Sequence, residues 1–250
     1  RNALSNIMFF GPAQGFYGSF RLLKIGGKYG AGDMFRRAIG SGSVRDTDAY
    51  LSRLEATGVF GNEIRSQIMI RLMRGEESMN SLQAKLSELS EQAKNPNVTG
   101  SALRQIRDNL GRIASAMDSF YKIAYFEHEK KVLLEARAHD IKTGKFNKEN
   151  PPPSDTQIEQ DAADIVSATA QSYDRALPII KKITTETNFG LLFAPFIRFT
   201  AEIPRITANT IRLARKEMKS DNPVIRARGR KRITGFIGTV GLVSMVLPTL

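Results

Sequence analysis

Residues 101–141 read SALRQIRDNLGRIASAMDSFYKIAYFEHEKKVLLEARAHDI, and this stretch decides the fold. Leu103, Ile106, Leu110, Ile113, Met117, Phe120, Ile123 (or Ala124) and Phe126 recur at steps of three and four. Side chains at that period share one face of an α-helix. The spacing predicts the longest helix of the chain here. Upstream, Lys94-Asn95-Pro96-Asn97 interrupts the pattern, and Thr99 or Ser101 is suited to cap this long helix.

Working outward, the region from about Asp46 also reads as helical. Tyr50, Leu51 and Leu54, then Ile64, Ile68 and Leu72, keep the same period, while Gly58, Gly61 and Gly75 break it into short pieces. Leu82, Leu86 and Leu89 form the stripe of a helix over roughly 76–94. Downstream, Gly144, Lys145–Asn150 and Pro151-Pro152-Pro153 form a polar linker. Ser154 or Asp155 then starts a helix with Ile158, Ala162, Ile165, Val166 and Ala170 inward, ended or kinked at Pro178. Leu191–Ile211 is apolar and aromatic, interrupted by Pro195 and Pro204, and a basic helix runs on to about Lys219. Asp221-Asn222-Pro223 turns the chain into Val224–Arg232. No stretch alternates as a strand does, so the expected class is all-α: a multi-helix assembly with long amphipathic helices, segments broken by Gly and Pro, and ends that are both apolar and basic.

Charge divides the 250 residues into three regions. Residues 1–44 carry +5, residues 45–190 carry −1 and residues 191–250 carry +8, within a total of +12. The first region is apolar and Gly-rich, with Phe9 and Phe10 in an uncharged run from Asn2 to Phe20 that reads as a buried or interfacial segment. By helical pattern rather than by charge, the remainder divides into a second region, 45–150, which holds the long helix, and a third, 151–250. The third, 151–250, contains a basic block, Arg205, Arg212, Arg215, Lys216, Lys219, Arg226, Arg228, Arg230, Lys231 and Arg232, opposed only by Glu217 and Asp221. Ile233–Leu250 comes next without a charge. Gly235, Gly238 and Gly241 fall every third residue beside Phe236, a spacing that lets helices approach closely. Cations against an apolar run resemble the start of a membrane-inserting helix; the competing reading is a buried core helix. The basic residues suit phosphates, of nucleic acid or of anionic lipid, and the plainer alternative is a solvated surface. Arg1-Asn2-Ala3-Leu4 reads as an internal cut, and the apolar end as part of something longer.

Catalytic signatures are not evident. With no Cys, thiolate metal sites and disulfide staples are excluded. His128 and His139, the two histidines, lie eleven residues apart near one helix face without HExxH spacing. Glu127-His128-Glu129 point in different directions on a helix and read as a solvated face. Gly30-Ala31-Gly32 opens no dinucleotide fingerprint, and Thr143-Gly144-Lys145 lacks the upstream glycine of a phosphate loop. The expectation is a non-enzymatic chain without cofactor, metal or small-molecule substrate.

The segments Phe193–Ala214 (FAPFIRFTAEIPRITANTIRLA) and Asn222–Gly235 (NPVIRARGRKRITG) resemble part of the internal virion, or ejection, proteins of short-tailed bacteriophages and the related large polyvalent phage proteins. Asp118–Glu129, Ala162–Val166, Ser172–Pro178 and the opening Leu4–Gln14 are similar to the same group. The resemblance implies a virion protein held in the capsid near the portal and released into the host envelope to help genome delivery. Its implied partners are copies of itself, portal or other ejection proteins, genomic DNA and the host membrane. An enzymatic domain elsewhere in a longer polypeptide is compatible with it. The alternative reading is a basic helical nucleic-acid-binding module of a large virion-packaged protein.

Overall fold

The computed structural model describes residues 46–58, 67–74, 77, 79–94, 100–170 and 204–246. Among them 83% are helical and none is in a strand, so the chain is all-α. The helices are α1 (Asp46–Ala56), α2 (Gln67–Arg74), α3 (Met79–Lys94), α4 (Ser101–Lys142), α5 (Asp155–Thr169), α6 (204–218) and α7 (Pro223–Val246). Phe9, Phe10 and the rest of 1–44, the region around Pro178 and Leu191–Ile203 lie outside the described residues, as does the packing around Gly238 and Gly241.

The described residues form two units, whose boundary in sequence falls inside α4 between Glu127 and His128. The first unit contains α1, α2, α3 and the N-terminal part of α4. Its core is aliphatic and aromatic: Tyr50, Leu51 and Leu54 of α1, Leu72 of α2, Leu82 of α3, and Ile113, Ile123, Tyr125 and Phe126 of α4 are all buried. Each such side chain contributes about 1.5–3 kcal/mol on leaving water. The predicted α4 stripe is buried at Ile113, Ile123 and Phe126; Tyr125, which the stripe omitted, is buried too. The Tyr50 hydroxyl donates to Glu127 Oε1 at 2.6 Å, giving a buried phenol a partner.

The second unit contains the C-terminal part of α4 with α5, α6 and α7. Helix α4 ends in a Schellman turn. Gly144 has φ +71°, its N–H donates to the Ile141 carbonyl, and the Lys145 N–H donates to the Asp140 carbonyl. Ser154 caps α5 by accepting from the Gln157 N–H at 3.2 Å. Ile158, Ala162, Ala163, Val166, Thr169 and Ala170 of the α5 region are buried, while Ile165 is half-buried. Lys130–Glu159 at 2.6 Å and Arg137–Asp155 at 2.7 Å join α4 to α5. Among the described residues, Ile158, Val166 and Ile206 are buried in this unit beside Ala136, Ala162, Ala163, Ala170 and Ala214.

Asn222 forms the hinge between α6 and α7. Its Oδ1 accepts from the Val224 N–H at 2.9 Å and the Ile225 N–H at 3.3 Å, capping α7, with Pro223 at the first helical position. Its Nδ2 donates to the Ala136 carbonyl of α4 at 2.8 Å. The turn expected at Asp221–Pro223 is therefore a helix cap that also docks the hairpin. The last five cations of the basic block, from Arg226 to Arg232, and the start of the apolar run are not separate pieces, because α7 passes through both without a break. Among the described residues no helix is long and apolar enough to cross a membrane.

Candidate functional site: a buried ion ring and an outward basic helix face

Helix α6 buries Ile206, Thr210, Ala214 and Glu217, at steps of four, four and three. One helix face is thus turned inward, and the single carboxylate of α6 lies on it. Helix α7 meets that face at Gly229. A Cβ there would lie 2.8 Å from the Ala214 carbonyl oxygen, Glu217 Cβ and the Met218 nitrogen. Only glycine lets the two backbones come this close. The close approach carries Arg228 and Arg232, one turn apart on α7, into the interior.

There the two arginines meet Glu217 of α6 and Glu129 of α4. Exposure is 0% for Glu129, 3% for Glu217, 6% for Arg228 and 1% for Arg232. Arg228 Nη1 donates to Glu129 Oε2 at 2.9 Å, and its Nη2 lies 3.0 Å from Glu217 Oε1. Arg232 Nη2 donates to Glu129 Oε1 at 2.6 Å, and its Nε donates to Glu217 Oε2 at 3.0 Å and Oε1 at 3.1 Å. Each arginine bridges both carboxylates and each carboxylate bridges both arginines, so the four close a ring. All four carboxylate oxygens accept from guanidinium N–H groups. The formal charges of the two carboxylates and the two guanidinium groups cancel around the ring. Burial pushes the Glu217 carboxyl above its ordinary value of 4.5, opposed by Arg232 and Arg228, while Glu129 adds to the upward push. Arg228 Nε is buried without a hydrogen-bond partner among the described residues.

The ring corrects two expectations. Glu127-His128-Glu129 is not a solvated face, since Glu129 is fully buried; the three do diverge, with Glu127 turned to Tyr50. The ten cations of the basic block do not all face outward either, because Arg228 and Arg232 are interior. Two more are engaged with backbone. Arg205 donates to the carbonyls of Ala168 at 3.0 Å and Ala170 at 2.9 Å, with a longer bond to Ser167 at 3.4 Å. Asn209 Nδ2 also donates to Ala168 at 2.8 Å. Together they satisfy the carbonyls that end α5, where a cation is favoured by the helix dipole. Arg226 donates to the carbonyls of Ser220 and Asp221, both at 3.1 Å, and braces the hairpin turn.

The remaining six are exposed: Arg212, Arg215 and Lys216 on α6, Lys219 in the turn that follows it, and Arg230 and Lys231 on α7. Arg212, Arg215 and Lys216 stand at i, i+3 and i+4 on the face of α6 opposite the buried stripe, and Lys219 follows at i+7 in the turn that ends the helix. At the start of the apolar run, Gly235 is buried, Phe236 half-buried and Ile237 63% exposed.

A signal for the ring was present in the sequence. Glu217 comes after Ile206, Thr210 and Ala214 on one helical stripe, and Glu129 lies between Phe126 and Ala136 on another. A carboxylate in phase with apolar residues predicts burial and therefore a cationic partner. Which cation would pair with it depends on how three helices meet.

Among the described residues no group of His, Cys, Asp and Glu is arranged to hold a metal ion. Among the described residues the buried His139 Nδ1 has no hydrogen-bond partner, and it lies 3.8 Å from Asp140 Oδ1. In the first unit, Ile68, Lys85, Glu88, Leu89, Gln92, Asn109 and Ile113 line a shallow cavity of about 290 Å³.

Comparison with protein-family models, with curated proteins and with solved structures finds no match to this chain.

Proposed function

We propose that this chain is a non-enzymatic helical segment of an internal virion (ejection) protein of a short-tailed phage. It acts by packing with copies of itself and with other virion proteins to help genome delivery. The observation that carries this reading is the ion ring. The buried charges of the second unit bind helix to helix: Glu129, Glu217, Arg228 and Arg232 join α4, α6 and α7 in one closed set. Chemistry at a site would instead require charged groups converging on space that a substrate can enter.

The ring also fits a protein that must unpack to travel. Parting α7 from α4 and α6 at the ring exposes carboxylates and guanidinium groups, which water solvates well. The four charges give the helices a specific register when they pair again. The residues that carry the family resemblance, Asn222–Gly235, hold the α7 half of the ring.

Sedimentation velocity over a wide concentration range tests the assembly. Concentration-dependent formation of a closed oligomer is expected. A chain that remains monomeric throughout refutes the assembly role, and hydrolysis of peptidoglycan by this chain refutes its non-enzymatic character.

A further inference from the structure

The outward face of α6 has a more specific use. We propose that Arg212, Arg215, Lys216 and Lys219 form a docking surface for the phosphate backbone of duplex nucleic acid. This deepens the reading above by naming the partner of one face, and the chemistry of that face stands apart from assembly.

Three observations support it. Arg212, Arg215 and Lys216 lie within one arc of α6 and Lys219 continues it in the first residue of the turn, a row of about 10 Å. A duplex presents one negative charge per roughly 1.7 Å of its axis, so a row of that length meets several phosphates at once. Second, Glu217, the only carboxylate of α6, lies on the opposite face and is neutralised inside the ring. Among the described residues the outer face is therefore cationic with no ion pair of its own. Third, the one remaining outward residue in that arc is Ala208. A helix that lies in a lipid interface submerges large apolar side chains, and a face that grips single strands stacks bases on aromatics. This face has neither, which leaves backbone charge as the feature it can recognise.

The structure also sets how many contacts to expect. Four phosphates neutralised on duplex DNA give a salt slope of about −3.6, or roughly a 150-fold loss of affinity between 50 and 200 mM salt. If all ten cations of the block engaged, the slope would approach about −9. The measurement is fluorescence anisotropy of the full 250-residue chain with a random-sequence duplex over that salt range. Arg215→Gln/Lys216→Gln, both exposed, is expected to halve the slope to about −1.8, so that the same salt change costs only about 12-fold. Circular dichroism and sedimentation of the variant should match the parent, which separates this face from the assembly surface. An unchanged slope in the variant overturns the assignment to α6. A parent slope near −9 overturns the sorting of cations into exposed and engaged. Binding to phosphatidylglycerol vesicles without binding to duplex overturns the choice of partner.

Discussion

Replacing Glu129 by Gln should release α7 from the rest of its unit. The carboxylate accepts from Arg228 at 2.9 Å and from Arg232 at 2.6 Å, and it is fully buried. Glutamine keeps the shape but removes one of two negative charges, leaving two interior arginines to share Glu217. Breaking a buried pair in this way costs about 3–5 kcal/mol, because the partner charge remains without compensation. Whole domains are stable by only about 5–15 kcal/mol, so the loss is a large fraction of the stability of the unit. The chain has two units, and a local probe is needed: hydrogen exchange at the α7 amides, read by mass spectrometry, should accelerate by about 10² to 10³·⁵. Exchange at α1–α3 should be unaffected. The decisive comparison adds Arg228→Gln to Glu129→Gln, which restores neutrality with Arg232 facing Glu217. The double variant should be less destabilised than the sum of the singles by about 1–3 kcal/mol. Additive effects, or a Glu129→Gln cost below about 1 kcal/mol, would mean that the ring is not a closed and water-excluded set.

Other perturbations probe the close helix approach, the cap and the carboxylates. Gly229→Ala should destabilise by about 1–3 kcal/mol through overpacking, despite alanine's better helix propensity; the added Cβ meets backbone and Cβ atoms at 2.8 Å, and a stabilised variant in urea unfolding would refute the close approach. Asn222→Ala should cost roughly 1–3 kcal/mol, since it removes both the α7 cap and the donor to the Ala136 carbonyl; an exchange pattern unchanged at Val224 and Ile225 would contradict this. Carboxyl titrations followed by carbon NMR should place the Glu217 midpoint above 4.5 and the Glu77 midpoint below it, where Lys85 and then Ser81 donate to the carboxylate. Glu217 binds its proton more tightly when folded, so its contribution to stability is present below about 4.5 and is lost as pH rises through the raised value. Glu77 has the opposite sign: its contribution is present above about 4.5 and is lost as pH falls through the lowered value. Midpoints in the reverse order would refute the assigned surroundings.

How much was legible can be judged element by element. The 3.6-residue period around Ile113, Ile123 and Phe126 identified α4, and Ser154 marked the start of α5, because both signals are local. The cap at Asn222 was visible as a turn but not as a tether to α4, since its second partner is Ala136, 86 residues away. The same limit applied to the basic block. Ten cations look alike along the chain, and charge counting assigned all of them to phosphate. Two were instead claimed by carboxylates, one 99 and 103 residues distant and the other 15 residues from Arg232.

By itself, the sequence determined that this protein is built of helices, where several of them begin and end, and that its last region is strongly basic. Those properties come from spacing, caps and composition, which act over a few residues. Only tertiary structure decided which charges face water. Gly229 lets α7 approach α6 closely enough to bring Arg228 and Arg232 inside, while Arg212, Arg215 and Lys216 remain on the opposite face of α6, with Lys219 in the turn that follows it. The physical reason is desolvation: a charge can be buried only where another chain segment supplies its counter-charge, and that pairing exists only once distant helices have met.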